Sequence, residues 1–188
     1  MTAVPSKHLF TAAEFAQMGE AGIFREDARL ELIEGEIIEM SPIGLRHAAL
    51  VRGLINRLTR LIGEDEALID AQNPVHLSDL SQPQPDVTVL KPSPDYYAHR
   101  HPQPEDVLLL IEVADTSLAY DRGVKVPVYA RCGIPEVWIA DVGGAAVEVY
   151  RRPSASGYAE VERLTDPDAV LTPALLPQLS LTVKSVLG

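Results

Sequence analysis

From Leu50 to Ile62 apolar residues recur every three or four positions (Leu50, Val51, Leu54, Ile55, Leu58, Leu61, Ile62), and Arg52, Asn56, Thr59 and Arg60 fill the other side. That spacing predicts an amphipathic helix over about 46–62, closed by Gly63. His47 lies one turn before Leu50 and Val51 and so falls on the inward side. A shorter helix is expected upstream. Thr11-Ala12-Ala13-Glu14 has the form of a capping box, Phe10 and Phe15 stand where a hydrophobic staple would, and the helix should run to about Met18 and end at Gly19. Between the two helices, residues 29–40 read as a hairpin whose strands meet at Glu34-Gly35, the glycine supplying the positive φ of a tight turn.

Past the long helix the pattern shifts to short runs. Strands are expected at 67–71 and 74–77, and more clearly at 86–90, followed by a loop over 91–104 rich in Pro, Tyr and His. Val107-Leu108-Leu109-Leu110-Ile111 shows no polar alternation, the mark of a central strand covered on both faces, here 106–114. A second helix over about 122–132 stops at Gly133, a residue suited to the C′ position, with Pro127 limiting its start. Strands 136–141 and 146–151 pair across Gly143-Gly144, and the tail from Pro153 holds one or two weak strands and a short final segment. The order predicts a mixed sheet with helices on its faces, an α/β (α+β) fold. Strand 106–114, helix 122–132 and strand 136–141 should form a right-handed parallel βαβ unit.

At 188 residues the chain reads as one domain over 1–188, with a core at about 10–151. Its 46% hydrophobic and 23% charged residues describe a globular protein. Cys132 is the only cysteine, so an intrachain disulfide is excluded and a reducing, cytoplasmic setting is the simplest reading. Met1–Phe10 carries no apolar signal-peptide region, and the longest apolar runs fall far short of the ~20 residues of a membrane helix. The net charge of −11 opposes a nucleic-acid partner, whose binding depends on neutralised phosphates. A local basic cleft can still coexist with an acidic remainder, and part of the acidity can belong to metal ligands.

Two carboxylates interrupt segments that otherwise ask to be buried. Asp86 opens Asp-Val-Thr-Val-Leu after Pro85, and Glu112 sits inside Leu-Leu-Leu-Ile-Glu-Val-Ala. A carboxylate in a central strand is costly unless it is paired or binds a cation. Asp86 is therefore either a capped strand end or a ligand, and Glu112 either an ion-paired core residue or a ligand. Two such groups on neighbouring strands can hold a hard divalent ion such as Mg²⁺ or Mn²⁺. Lys125 lies on the following helix, four residues before Tyr129 and on the same face. If that helix packs back over the strand, an ammonium there can orient an attacking water and offset phosphodiester charge, and the phenol can add a hydrogen bond. Otherwise Lys125 is a solvated surface lysine.

Pro85-Asp86 followed by Glu112-Val113-Ala114 resembles the PD-(D/E)XK nuclease pattern, with Ala114 where its lysine would stand and Lys125 as a migrated equivalent. A wider set of segments resembles the Uma family of restriction-endonuclease-like proteins. They are Glu31-Leu32-Ile33-Glu34-Gly35-Glu36, Ser41-Pro42 with His47, Gln84-Pro85-Asp86-Val87, and Ile111-Glu112-Val113-Ala114-Asp115-Thr116-Ser117. Asp121 with Lys125, Tyr129-Ala130-Arg131-Cys132-Gly133-Ile134-Pro135-Glu136 and Val137-Trp138-Ile139-Ala140-Asp141 follow in order.

The resemblance implies a restriction-endonuclease-like fold and a divalent metal held by Asp86 and Glu112, with the Val113 carbonyl completing its shell. It also implies a nucleic-acid substrate, DNA first, and a homodimer. A catalytically silent domain that kept the fold as an interaction or regulatory module is the alternative. Glu31 is either a further acidic site residue or the partner of an arginine, and His47 either touches the site or is a hydrogen-bonded core histidine. Ser117 should cap the next helix. Asp141 and Trp138 should be structural. Gly123 and Pro127 predict an irregular first turn in the helix that carries Lys125.

Overall fold

The computed structural model describes residues 6–63 and 65–188, so the first five residues of the Met1–Phe10 stretch lie outside it. Helix α1 (Ala12–Glu20) carries the expected capping box, Thr11 accepting from the Glu14 N–H and Glu14 reaching back to the Thr11 N–H. It passes through Gly19 rather than ending there. The Phe15 ring lies tilted against Phe24, with centroids 5.5 Å apart, and Phe10 lies edge-on to His8 at 5.0 Å.

Strands β1 (Leu30–Ile33) and β2 (Glu36–Glu39) form the expected hairpin. Its turn has φ +50° at Glu34 and +79° at Gly35. Helix α2 (Leu45–Leu61) follows, then β3 (Leu68–Asp70) and β4 (Val87–Leu90). Residues 74–77 are not a strand. The backbone between Pro74 and Gln82 turns back at an isolated bridge, Ser78 to Ser81, and supports the hairpin through Leu32 and Gln82 instead.

Strand β5 (Val107–Ala114) is buried along its whole length, as its unbroken apolar run requires. The next helical segment starts earlier than expected, at Leu118, and runs through three parts. They are α3 (Leu118–Tyr120), a π-helical turn (Asp121–Lys125) and α4 (Val126–Arg131), closed by Gly133 at φ +81°. Strands β6 (Glu136–Asp141), β7 (Ala146–Ser154) and β8 (Gly157–Leu164) come next, then a small β9 (Val170–Leu171) and β10 (Leu181–Thr182) pair and α5 (Val183–Leu187).

The main sheet has the order β3-β4-β5-β6-β7-β8. All neighbours are antiparallel except β5 and β6, which are parallel as the βαβ reading requires. Helices α2 and α5 cover one face through Val51, Leu54, Leu58, Val183 and Val186. Helix α4 covers the other through Val126, Val128 and Tyr129. Residues 171–186 contribute to the first layer, so the packed interior extends well past Arg151. No helix among the described residues is long and apolar enough to cross a membrane.

Candidate active site

Val87 pairs with Ile111, which sets Asp86 and Glu112 side by side where β4 begins and β5 nears its end. Asp86 itself falls just before the strand. The backbone locks the pair together: the Asp86 N–H points at Glu112 Oε2 at 3.4 Å, and the Val113 N–H donates to Asp86 Oδ2 at 2.9 Å. His47, in the first turn of α2, reaches Asp86 Oδ1 at 2.8 Å, and the Gln72 amide reaches the same oxygen at 3.3 Å. The inward placement of His47 thus brings it into the cluster.

Lys125 arrives from the other side of the sheet. Pro127 has no N–H to return to the Gly123 carbonyl, and the chain takes a wider turn in which the Val126 N–H bonds the Asp121 carbonyl. Asp121 and Lys125 are both buried as a result, Lys125 at 5% exposure. The Lys125 ammonium lies 2.8 Å from Glu112 Oε1 and 3.4 Å from Glu31 Oε2. Glu31, at 1% exposure, is further held by the Gln84 N–H at 3.2 Å. Tyr129, one turn beyond, is fully buried and donates to Glu112 Oε1 at 2.6 Å. Its phenol is thereby committed to holding Glu112 and is not free to meet a phosphate. Ser117 stands at the start of α3 but makes no side-chain cap; its hydroxyl bonds Asp121 Oδ2 at 2.6 Å instead.

Four carboxylates (Glu31, Asp86, Glu112, Asp121) converge on one lysine and one histidine, all buried or half-buried. Burial pushes the Glu112 carboxyl up to about 8; Lys125 pulls against this, and Asp86 and Asp121 add to it. Asp121 is also raised by burial, against the pull of Lys125 and Ser117. The Lys125 ammonium is held charged well above its ordinary range, because Glu112, Glu31 and Asp121 together outweigh its burial. At Asp86 burial is outweighed by the His47 hydrogen bond and charge, the Val113 N–H and Lys125, so this carboxyl falls below the usual range. His47 is raised in turn, chiefly by its bond to Asp86.

These groups line one cleft of about 470 Å³, whose opposite wall is formed by Arg29, Ile38 and Met40 to Gly44. The Tyr120 hydroxyl is buried at its edge with no hydrogen-bond partner among the described residues. Those residues contain no group of three or more His, Cys, Asp or Glu side chains that form a ready metal cage. What they offer is two adjoining carboxylates with a surplus of negative charge around them. Asp86 Oδ2 and Glu112 Oε2 each accept one hydrogen bond and keep a lone pair. An all-oxygen, anionic, incomplete set suits a hard divalent ion that keeps several waters, so the residues present fit Mg²⁺ or Mn²⁺.

A mixed sheet with paired carboxylates at the adjoining ends of two central strands, and a buried lysine beside them, defines the restriction-endonuclease-like class of fold. Residues 12–184 match the model of the Uma2 family, described as "putative restriction endonuclease", and the chain belongs to that family. No curated protein sequence matches it. Among solved structures, it is similar to one described as a putative nuclease belonging to DUF820 from Anabaena variabilis. The TM-score is 0.74 at 20% identity, over 95% of this chain and 97% of that one.

The structure brings Asp86, Glu112, Lys125, Glu31, His47, Tyr129 and Val113 together. Asp121, Gln72, Gln84 and Tyr120 were not singled out from sequence as site residues. Gln84 and Asp121 lay within the segments that carry the family resemblance, Asp121 also at four-residue spacing from Lys125, while Gln72 and Tyr120 carried no signal. Asp141 and Trp138 are structural, as expected: Asp141 accepts from the Gly144 N–H at 2.8 Å, and the buried Trp138 donates to Glu136 at 2.6 Å.

Proposed function

We propose that this cleft is the active site of a metal-dependent endonuclease that hydrolyses phosphodiester bonds in DNA. It would act in the cytoplasm as a homodimer of one-domain chains. The observation that carries the reading is the buried Lys125 ammonium seated against a strand-borne carboxylate. Burying a lysine is expensive, and a protein that needed only a stable core would use an apolar residue there.

Asp86 and Glu112 would hold the ion, with the Val113 carbonyl beside them. When bound, Mg²⁺ or Mn²⁺ supplies Lewis-acid stabilisation of phosphate charge and makes a water easier to deprotonate. Lys125 stays protonated, so it acts by charge and hydrogen bonding: it orients the attacking water and stabilises the transition state, and it cannot serve as a base. Glu31 and Tyr129 are positioning residues, the first aiming Lys125 and the second fixing the Glu112 carboxylate. His47 and Gln72 do the same for Asp86.

The test is degradation of plasmid DNA with Mg²⁺, Mn²⁺ or excess chelator. Activity should need the metal. Asp86→Asn should lower it by roughly 100-fold or more, and Lys125→Ala should do the same while leaving metal binding largely intact. An Asp86→Asn protein that melts no lower than the parent and stays fully active would remove the assignment. A folded parent that binds metal and cleaves nothing would favour the silent interaction module.

A further inference from the structure

We propose that the exposed face of α2 is the track on which a DNA strand is held by its phosphates as it enters the cleft. The inference rests on the nuclease reading of that cleft and adds where the substrate is gripped. Helix α2 contains four arginines, Arg46, Arg52, Arg57 and Arg60, and no acidic residue, in a chain whose 27 acidic residues outnumber its 16 basic ones. Val51, Leu54 and Leu58 face the core. Leu45, Ala49, Arg52, Asn56 and Arg60 run down the exposed side at three- and four-residue spacing, with Arg46 beside them. Arg57 is turned aside and donates to the Ser185 carbonyl at 2.5 Å.

Most arginines elsewhere are neutralised, such as Arg25 by Glu39, Arg100 by Asp106, Arg131 by Glu34 and Arg152 by Glu160, whereas Arg29 on the cleft wall meets only the Ser41 carbonyl. Arg46 and Arg52 form no ion pair with any described carboxylate; Arg46 meets only the Val142 carbonyl, at 3.4 Å. The placement of Arg46 does not serve the helix. Arg46 sits in a first turn that has no acidic residue and no side-chain cap, where the helix dipole disfavours a cation. Unpaired positive charge on an acidic protein is what a polyanion would reward, through counterion release. The acidic remainder adds direction, because it repels the same strand everywhere else.

The geometry leads to the site. At a rise of 1.5 Å per residue, Arg46 to Arg60 spans roughly 20 Å, the axial length of about six base steps. The N-terminal end of α2 borders the cavity through Gly44 and the inward-facing His47, with Arg29 also on its wall and Arg46 next in the chain. A strand on α2 therefore runs off its N-terminal end toward Asp86 and Glu112.

The experiment measures binding of a fluorescent 20-base-pair duplex between 50 and 200 mM salt, in an Asp86→Asn background so that nothing is cut. Arg46→Gln with Arg52→Gln should weaken binding about tenfold or more and flatten the salt slope by about two units, near 0.9 per lost phosphate contact. Arg131→Gln, which removes a paired arginine, should change neither. In the parent background, the double variant should hydrolyse bis(p-nitrophenyl) phosphate, which needs only the cleft, at the unaltered rate. Equal affinity and slope in the double variant, equal loss with Arg131→Gln, or binding to anionic vesicles but not DNA would overturn the proposal. Failure of the parent to hydrolyse the small diester with Mn²⁺ would instead count against the cleft, and loss of duplex binding in the double variant would still support the track.

Discussion

Glu112 is the residue whose environment has the clearest measurable consequence. Its carboxyl is held near 8 in the fold against an ordinary 4.5, because burial and neighbouring carboxylates penalise the charged form. A group raised in the folded state contributes stability that is full below its unfolded value and is lost as pH rises toward the folded one. The metal-free protein should therefore lose stability between about pH 4.5 and 8, by at most ~1.4 kcal/mol per pH unit from this group. His47, also raised, adds a loss of the same sign above its ordinary 6.5. Asp86, lowered, acts at the acid end, its contribution vanishing only as pH falls below 3.8. On the proposed metal reading, divalent ions would bind the ionised pair and should restore more stability at pH 8 than at pH 5. Melting temperatures across this range, with and without Mg²⁺, provide the check. A flat metal-free profile, or one unchanged by Glu112→Gln, would contradict the assignment.

At the scale of elements, the segment 118–131 decides whether Lys125 reaches the site. Its π turn follows from Pro127, and the wider turn lets Asp121 and Lys125 both face inward. Gly123 within it is exposed, and an added Cβ would meet nothing within 4 Å. Gly123→Ala should accordingly stabilise the protein by about 0.5–1 kcal/mol through the unfolded chain, with turnover retained. Gly35 is the opposite case. It sits at φ +79°, and a Cβ there would come within 2.5 Å of Leu9 Cβ, so Gly35→Ala should destabilise by ~1–3 kcal/mol. Urea midpoints of the two variants moving in the same direction would refute this account of both turns.

For the whole molecule the governing feature is uneven charge. On the proposed track the acidic chain would engage a polyanion along its arginine-rich helix α2, and two copies would pool two such faces around one substrate. The sheet's outer strand β8 is not suited to pair the copies, because it is exposed and carries Glu160, Glu162 and Arg163, charges that discourage edge-to-edge addition. Light scattering at micromolar concentration should give twice the chain mass. A stable monomer there would remove the dimer and leave the cleft intact.

Much of this was legible in the chain before any coordinates. Residues separated by three or four positions, or alternating along a strand, report local structure directly, so α1, the 30–39 hairpin, α2 and the buried β5 followed from spacing alone. Asp86 and Glu112 were legible for a related reason: a charge inside an apolar strand needs a partner wherever it ends up. Lys125 could be placed on the right helix but not aimed, because the direction of its side chain depends on a π turn that forms only where Pro127 and tertiary packing meet. Residues 74–77 misled because an apolar alternation too short to specify a strand was captured by the hairpin through Ser81 and Gln82. Glu31 could be read only as either a site residue or an arginine's partner, and its meeting with Tyr120 and Asp121 of the 118–131 segment, and with Gln72 behind Asp86, was not legible, since these elements lie far apart along the chain. Which of those elements meet is set by long-range packing, and short-range pattern carries no record of it.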